Sequence, residues 1–399
     1  MAGPINWLSQ VASVTKFGLL SIQQRRGSVA AALFGIAGVV AVLVGVFSIA
    51  AGFRRVMTSS GSPDTAIVLR SGADSEMVSG LSRESTRIIA DAPGVARDAS
   101  GPLASPELFV IINLPKKSTL TDVNVPFRGV ERPAFPVRNR LKMVEGRAFE
   151  WGKNEVIVGV GAAREFAGLE VGDLMKVGRY QWPVVGIFSA GGGAAESEVW
   201  TDAKALQDAY NRGDSFQSVY VRLQSPGAFG RFKDALTTDP RLNVKVERQD
   251  DYFADQSTAV TTLINILGYP IAGLMAIGAI FGALNTMYSS VAARNREIAT
   301  LRALGFGRGA VVASIMLESV VLALLGGAVG AVVAYAGFNG FHASTMNWQS
   351  FSSLTFAFAV TPRLLGVGIG VATLIGVVGG MLPALRAAWL PIAAALRQL

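Results

Sequence analysis

Few residues in this 399-residue chain could do chemistry. It has one histidine, His342, and no cysteine, which excludes a histidine cluster or a thiolate site for a metal ion. The nearest approach to a phosphate-binding loop, at Gly152-Lys153-Asn154, lacks the Ser or Thr and the correctly spaced first glycine. No Gly-x-Ser-x-Gly motif marks a nucleophilic serine. The sequence therefore predicts no catalytic residue, no metal site and no cofactor site in this chain.

One short charged segment, ARNREIATLRALGFGRG from Ala293 to Gly309, is more informative. Its apolar residues recur at helical spacing; they are Ile298, Leu301 and Leu304. Asn295 can cap a helix and Gly305 can end it, which predicts about three turns. Such an amphipathic helix either lies on lipid headgroups with its arginines on phosphates, or inserts into a soluble partner. The residue pattern alone leaves both interpretations open.

The composition indicates a membrane protein. The chain is 51% hydrophobic, its mean hydropathy is +0.41, and 16% of its residues are charged, against roughly 25% in soluble domains. This excludes intrinsic disorder and argues against a water-soluble globule. The net charge of +8 is unevenly placed, because residues 53–257 carry 26 basic and 26 acidic side chains and the remainder carries 10 and 2. Bases that flank long uncharged runs are typical of membrane topology rather than of nucleic-acid binding.

Four apolar runs are long enough to cross a bilayer, for which roughly 20 residues suffice. They cover residues 28–52, 258–291, 309–341 and 364–385. The first exceeds the apolar stretch of a secretory signal and is interpreted as an uncleaved anchor. Residues 1–27 predict an interfacial amphipathic helix that includes Trp7, Val11 and Val14. In the second run, Pro270 either kinks the helix or is an ordinary membrane-helix proline.

The distribution of Lys and Arg predicts the orientation of the runs. Both termini, the loop 292–308 and the tail 386–399 are expected in the cytoplasm, whereas residues 53–257 and the short loop 342–363 are expected outside. The basic residues on the predicted cytoplasmic side are Lys16, Arg25, Arg26, Arg294, Arg296, Arg302, Arg308, Arg386 and Arg397. The location implied is a bacterial cytoplasmic (inner) membrane, with a multi-pass chain.

The neutral block 53–257 predicts a folded α+β domain with enough chain for two subdomains. Its strand-like segments are 65–70, 108–114, 155–160, 182–188, 218–223 and 244–247, and its helical segments are 82–91, 162–167 and 229–237. From Asp250 a stalk helix is expected to continue into the second run. The predicted fold class is a membrane protein of four transmembrane α-helices with a large extracytoplasmic α+β domain inserted between helices 1 and 2.

Three stretches of the sequence resemble one protein family. They are NREIATLRALGFGR followed by IMLESVVLALLGGAVG, the tail PALRAAWLPIAAALRQL, and VEGRAFEWGKNEVIVGVGAAREFAGLEVGDLMKVG in the neutral block. All three are similar to the FtsX-like permeases of ABC transporters, which include MacB-type exporters, LolC/LolE lipoprotein releasers and DevC-type permeases. The family layout is one leading span, a large extracytoplasmic domain and three trailing spans. This sequence shows no fused nucleotide-binding domain, so the resemblance is to the permease part.

The resemblance implies that the charged segment is a coupling helix that docks on a separate cytoplasmic ABC ATPase, which would bind the ATP and Mg²⁺. The residues that it assigns to docking are Arg294, Arg296, Glu297, Ile298, Leu301 and Arg302. Arg–carboxylate pairs around a small apolar contact suit an interface that must transmit force in both directions.

Glu318 lies roughly two turns into the third run, where a carboxylate is unfavourable unless it faces protein, water or an arginine. It is either a latch toward the arginines of the charged segment or a solvated acid near the cytoplasmic end.

Glycine pairs spaced four apart permit close contact between membrane helices. They are Gly278 and Gly282, Gly326 and Gly330, Gly366 and Gly370, and Gly376 and Gly380. Some must serve packing within the chain. Because four spans are too few to enclose a conduit, a homodimer or heterodimer with a second permease subunit is expected.

The leading functional hypothesis is a non-catalytic permease subunit that transmits ATPase-driven motion to the extracytoplasmic domain, to export or extract a lipid, lipoprotein, peptide or drug. Its expected partners are the ATPase, a second permease subunit, a periplasmic adaptor and membrane lipid, with no nucleic acid. The alternative is an FtsX-like signalling subunit that controls cell-wall hydrolases and transports nothing. An anchored extracytoplasmic enzyme is disfavoured because catalytic residues are missing.

Overall fold

The computed structural model describes residue 7 and residues 10–16, 26–347 and 351–392. The chain forms two compact units. The helical unit comprises Met1–Ala51, Leu263–Phe341 and Phe358–Leu399, and the inserted domain comprises Gly52–Thr262 and His342–Ala357. Of the predicted interfacial helix, residue 7 and residues 10–16 are helical. Its remaining positions up to Arg25, such as Leu8 and Phe17, and Arg397 of the tail lie outside the described residues.

Long α-helices form the helical unit, and short ones lie between the strands of the inserted domain. They are α1 (Arg26–Ser60), α2 (Arg83–Ala90), α3 (Ala134–Val137), α4 (Val160–Glu165), α5 (Ala203–Ala209), α6 (Phe229–Thr237), α7 (Gln249–Ala293), α8 (Asn295–Ala303), α9 (Arg308–Phe338) and α10 (Pro362–Ala388).

The strands lie mainly between α1 and α7. They are β1 (Thr65–Arg70), β2 (Leu81–Ser82), β3 (Arg97–Asp98), β4 (Gly101–Pro102), β5 (Ala104–Pro115), β6 (Asp122–Val130), β7 (Lys142–Gly146), β8 (Val156–Gly159), β9 (Leu174–Val177), β10 (Tyr180–Ser189), β11 (Val199–Asp202), β12 (Ser215–Phe216), β13 (Ser218–Arg222), β14 (Val244–Arg248), β15 (His342–Asn347) and β16 (Ser352–Ala357).

Four helices are long and apolar enough to cross a membrane. Helices α1, α7, α9 and α10 contain 18-residue windows with mean hydropathies of 2.7, 1.9, 2.1 and 2.1. The start of α10 shows why the sequence folds this way locally: Thr361 accepts a hydrogen bond from the Leu364 backbone N–H, and Pro362 occupies the first turn, where its missing donor does no harm. Pro270 lies inside the continuous α7 and does not end it.

The inserted domain is built on a mixed sheet with the strand order β14-β1-β13-β5-β6-β11-β8-β10-β7, and β9 pairs with β10. The β6–β11 and β8–β10 pairs are parallel, whereas β1, β5 and β13 pair antiparallel. One apolar core lies around β1, β13 and β14 and contains Phe232 of α6. A second lies around β5, β6, β8 and β10 and contains Trp182 and Leu206. A third apolar cluster contains Phe188 and Trp200, and the division of the inserted domain into two subdomains stays a prediction.

The predicted fold class of four membrane helices with an α+β insertion between the first two is confirmed. The predicted strand positions match β1, β5, β8, β10, β13 and β14, and the helix predicted at 229–237 matches α6. Strands β6, β7 and β11 had no matching prediction. Strand β6 contains a proline and a glycine, which weaken a strand signal, yet both it and β11 are largely buried in the sheet.

The prediction of a short outer loop at residues 342–363 is corrected, because much of this segment is β-strand. Strands β15 and β16 form an antiparallel hairpin there, and its residues belong to the inserted domain. The Thr355 backbone N–H donates to Ser197 Oγ at 2.9 Å, and Asn347 Nδ2 donates to Gln256 Oε1 at 2.8 Å. Three of the six residues of β16 are Ser or Thr, yet the strand is buried almost throughout, so hydropathy does not reveal it as a strand.

Candidate functional site

Helix α8 corresponds to the predicted coupling helix, with one change at its start. The N-cap residue is Arg294, and Asn295 is the first helical residue rather than the cap. The predicted end is observed: Gly305 has φ +97°, and a pair of backbone bonds closes the last turn. These run from Phe306 N to Leu301 O at 3.1 Å and from Gly305 N to Arg302 O at 3.2 Å. Glycine is suited to this left-handed position because it has no Cβ.

The apolar stripe of α8 is divided between the interior and the surface. Ile298 is 5% exposed and packs in an apolar cluster with Met287, Val311 and Ile315, whereas Leu304 is 73% exposed. Leu301 is half-buried. The prediction that Ile298 is part of the docking surface is therefore corrected, because this side chain attaches α8 to its own chain.

Arg294 and Glu318 form a buried ion pair where α8 begins. Arg294 Nη2 lies 2.6 Å from Glu318 Oε2, and the two side chains are 10% and 1% exposed. Ser290 Oγ donates to Glu318 Oε1 at 3.4 Å and accepts from Arg294 Nη2 at 3.3 Å. Glu318 is thus not a solvated acid, and Arg294 is not a surface docking residue. The pair joins the start of α8 to the body of α9.

Arg302 anchors the opposite end of α8. Its Nη1 donates to the backbone oxygen of Leu390 at 2.6 Å, so this predicted docking residue is partly engaged within the chain. Arg308 lies over the ring of Trp389 at 4.7 Å from its centroid. Helix α8 is therefore fixed at both ends, by α9 and by the segment that follows α10.

The charged residues left on the surface of α8 are Arg296 and Glu297. Neither forms an ion pair among the described residues. Thr300 of the same helix and Leu304, its C-cap residue, are also exposed. These four residues, which we term the α8 face, offer both signs of charge beside an apolar side chain. The face can recognise a partner surface by charge-assisted hydrogen bonds.

The predicted glycine pairs fall into two groups. A Cβ at Gly330 would overlap the Ala37 backbone oxygen of α1, and one at Gly380 would meet Ser319 of α9, so the pairs 326/330 and 376/380 pack within the chain. At the remaining four glycines, a Cβ would lie within 4 Å of nothing described beyond the backbone of its own helix; these are Gly278, Gly282, Gly366 and Gly370. Those two pairs are open.

Sequence reasoning missed a buried charge cluster in the inserted domain. The Arg128 guanidinium, on β6, forms two-pronged pairs with Glu76 (2.7 and 3.0 Å) and with Glu198 (2.8 and 2.8 Å), and a single bond to Glu107 at 2.8 Å. Arg138 Nη2 reaches the same oxygen of Glu107 at 2.5 Å. The partners of Arg128 lie 52, 70 and 21 residues away along the chain, so no local pattern could have revealed them.

The cluster holds three carboxylates and two guanidiniums in a region that water scarcely reaches. Burial raises the pKa of Glu107 despite the neighbouring Arg138 and Arg128. Burial acts in the same direction on Glu198, but the Arg128 guanidinium outweighs it and lowers the pKa of Glu198 below its usual value. A buried network of this kind specifies one arrangement of its strands, because breaking any pair leaves a charge unsatisfied.

Two protein-family models match the chain, and together they cover most of it. A model of the MacB-like periplasmic core domain matches residues 29–239, and a model of the FtsX-like permease C-terminal region matches residues 270–392.

Individual relatives agree with these matches. The macrolide export ATP-binding/permease protein MacB of Chlorobium phaeobacteroides is 27% identical over 77% of this chain and 47% of its own length. The MacB 1/2 protein of Paracoccus denitrificans is 25% identical over 98% of this chain and 59% of its own. The ABC transporter permease YknZ of Bacillus subtilis is 28% identical over 65% of this chain and 66% of its own. The chain thus spans about half the length of the MacB relatives it matches.

Two solved structures resemble the chain distantly. The periplasmic region of MacB from Actinobacillus actinomycetemcomitans is 13% identical and covers 48% of this chain and 92% of its own, with a TM-score of 0.37. The extracellular domain of YknZ from Gram-positive bacteria is 16% identical and covers 46% of this chain and all of its own, with a TM-score of 0.35.

Proposed function

The chain belongs to the MacB/FtsX-like permease family of ABC transporters, and on this premise we propose that it converts the motion of a separate ATPase into work by the inserted domain. The work is the export or extraction of an amphiphilic substrate such as a lipid, lipoprotein, peptide or drug. The observation that carries the proposal is the α8 face. It is exposed and charged, and its helix is fixed at both ends.

The two anchors of α8 make it suited to transmit force. A helix that is pushed by a partner moves its own chain only if it cannot slide or rotate independently. The ion pair between Arg294 and Glu318 holds the first turn, and the Arg302 bond to Leu390 holds the last. Buried Ile298 supplies apolar contact between them. A push on Arg296 or Glu297 is therefore passed to α9 and α10 rather than absorbed by the loop.

We place α8 in the cytoplasm, where an ATPase would meet it, and the inserted domain outside an inner membrane. The support is the concentration of Arg and Lys around α8 and near both termini. The ATPase is proposed as a partner chain because MacB relatives carry ATP-binding in their names whereas YknZ is named a permease. That partner would hold ATP and Mg²⁺. A second permease subunit, a periplasmic adaptor and lipid complete the assembly.

The test uses the full chain, tagged and purified in detergent with the ATPase that accompanies it. Replacing Arg296 and Glu297 together by Ala is expected to abolish stimulation of ATP hydrolysis by the permease and to weaken co-purification at least tenfold. Both residues are exposed and form no ion pair with any residue that the structure describes, so the variant should insert and remain folded. Arg363→Ala is the matched control, because this arginine is exposed in the first turn of α10, on the side predicted to lie outside.

Four results decide between the hypotheses. Unchanged stimulation in the double variant contradicts docking through the α8 face and favours a helix that rests on lipid headgroups. Recovery of no ATPase at all contradicts the permease proposal as a whole. Extrusion of a fluorescent amphiphile by membrane vesicles, lost in the double variant, supports transport; release of a cell-wall hydrolase activity without extrusion supports signalling instead.

A further inference from the structure

Three arginines from different helices gather at the end of α10. Arg386 lies in the last turn of α10, and Trp389 follows as its C-cap residue. Arg308, the first residue of α9, places its guanidinium carbon 4.7 Å from the centroid of the Trp389 ring. Arg302, in the last turn of α8, donates to the Leu390 backbone oxygen at 2.6 Å. We term Arg302, Arg308 and Arg386 the α10-end cluster.

The positive charge of this cluster is not balanced by neighbouring acids. Outside residues 53–257 the only acidic side chains are Glu297 and Glu318, and Glu318 is paired with Arg294. No member of the cluster forms an ion pair with a residue that the structure describes. The carboxyl ends of α8 and α10 contribute about −0.5 each and the amino end of α9 about +0.5. The cluster therefore keeps roughly 2.5 positive charges, and more than one after Glu297 is set against it.

The donors of the cluster are open to a ligand. Arg308 and Arg386 are exposed, and Trp389 beside them is 69% exposed. The Arg386 guanidinium carbon lies 5.6 Å from the ring centroid of Tyr288, so each of these two guanidiniums is positioned by an aromatic ring. A ring offers no oxygen acceptor, and neither guanidinium donates a hydrogen bond to a described residue. Their N–H donors are thus free for a phosphate group, which guanidiniums bind through paired hydrogen bonds.

An apolar strip of α10 leads up to the cluster. The strip consists of Met381, Leu382 and Leu385, which are 46%, 52% and 43% exposed. Their spacing from Trp389 places all four side chains on one face of the helix. A second exposed tryptophan lies at the start of α9, because Trp7 Nε1 is 3.7 Å from a Cβ placed at Gly309. Since exposed tryptophans concentrate at the boundary between membrane and water, we expect the cluster at the level of the lipid headgroups and the strip among the acyl chains.

We propose that the end of α10 binds the headgroup of an anionic phospholipid, with its phosphate on Arg308 and Arg386 and an acyl chain along the apolar strip. The unbalanced positive charge favours an anionic lipid over a zwitterionic one, whose amine cancels its phosphate. The strip favours a lipid over a free phosphate ion or an acidic protein segment, since only the lipid also covers exposed apolar surface. Basic pockets between membrane helices recognise such headgroups in other membrane proteins.

The bound lipid also acts on α8. Leu390, which accepts the bond from Arg302, follows directly after Trp389. A lipid that contacts Trp389 and Arg308 therefore holds the segment to which the end of α8 is attached. This consequence for force transmission rests on the proposed function, whereas the lipid site itself requires only that the helices cross a membrane.

The test is thermal unfolding of the full chain in a neutral detergent without any ATPase, so a failed docking experiment leaves its outcome unaffected. Dioleoylphosphatidylglycerol is compared with dioleoylphosphatidylcholine, which has the same acyl chains and no net charge. Inorganic phosphate and a hexaglutamate peptide represent the free ion and an acidic protein segment. A ligand that binds only the folded state raises the Tm with its concentration. We expect the phosphatidylglycerol to raise the Tm, with the other three near the value in detergent alone.

Two double variants locate the effect. Arg308→Gln with Arg386→Gln is expected to raise the phosphatidylglycerol concentration that gives half of the Tm shift at least tenfold. It should change the Tm in detergent alone only slightly, because both side chains are exposed. Arg54→Gln with Arg363→Gln is the matched control, since it removes two exposed arginines near the end of α1 and at the start of α10, and it should respond like the unaltered chain. The proposal is overturned if phosphatidylglycerol gives no shift, if any of the other three ligands matches it, or if the two double variants respond alike.

Discussion

At the residue scale, Glu318 is the group whose surroundings most constrain the helical unit. Its carboxylate is buried in a helix that crosses the membrane, and Arg294 is its cationic partner at 2.6 Å. A charge in such a place is stable only with its counter-ion and its hydrogen bonds in position. The pair therefore ties the start of α8 to α9, although a well-packed apolar pair could be equally stable.

We expect the stability of the chain to depend on whether Glu318 and Arg294 are replaced singly or together. Glu318→Leu leaves Arg294 buried and unpaired, which is expected to destabilise the chain by about 3–5 kcal/mol. The double variant Glu318→Leu with Arg294→Met should recover most of that loss in denaturant unfolding. If the pair transmits force as a latch, the recovered double variant still shows reduced ATPase stimulation.

The control for this comparison is Glu145→Leu, an exposed acid of the inserted domain without an ion pair among the described residues, which should leave stability within about 0.5 kcal/mol of the original. A Glu318→Leu chain as stable as the unaltered one would contradict the burial of this charge. Full ATPase stimulation in the double variant would show that the ion pair is structural only.

Part of this residue-level arrangement is visible in the sequence. Arg294 and Glu318 are 24 residues apart, at the beginning of one helix and early in the next, so an acid facing the arginines of the segment can be predicted. The bond from Arg302 to Leu390 spans 88 residues and depends on how α10 returns to the same end of the unit. Hydropathy contains no information on such a contact, nor on which face of α8 turns inward.

At the element scale, helix packing in the helical unit depends on glycines where two backbones approach. Helices α1 and α9 meet at Gly330, and α9 and α10 meet at Gly376 and Gly380. The spacing of four residues predicts that such contacts exist, but the same spacing occurs in the open pairs. Sequence alone therefore identifies the four candidate pairs and cannot say which helix each pair faces.

The prediction is a difference between two equivalent substitutions. Gly330→Ala forces α1 and α9 apart, because its Cβ overlaps the Ala37 carbonyl oxygen, and overpacking of this kind costs about 1–3 kcal/mol. Gly366→Ala adds the same methyl group at an open position and should leave stability unchanged or slightly higher. Both are measured by unfolding in detergent; equal effects would contradict the assigned contact between α1 and α9.

At the scale of the whole molecule, the charge distribution and the apolar runs predicted the layout, because membrane spans are encoded locally along the chain. The hairpin of β15 and β16 was missed, since its membership in the inserted domain depends on contacts with Ser197 and Gln256, distant in sequence. The net charge of +8 has a similar explanation: it resides on the residues outside 53–257, near the membrane helices. It marks predicted topology rather than an acidic partner.

The least covered membrane helix indicates where a second subunit would pack. Only 11% of the apolar window of α7 is buried, against 33% for α9 and α10 and 50% for α1. Its open pair, Gly278 and Gly282, provides a flat surface on which a second helix can approach closely. We therefore expect the permease dimer to form through α7, with lipid covering what remains.

Replacing Gly278 and Gly282 together by Leu tests this interface. The variant should convert the dimer to a monomer in detergent, measured by light scattering, with little change in monomer stability, because both positions face open space among the described residues. Gly366 and Gly370 replaced together by Leu is the matched control and should remain dimeric, since α10 is already covered more extensively. A dimer that survives the α7 variant contradicts this interface, whatever the control does.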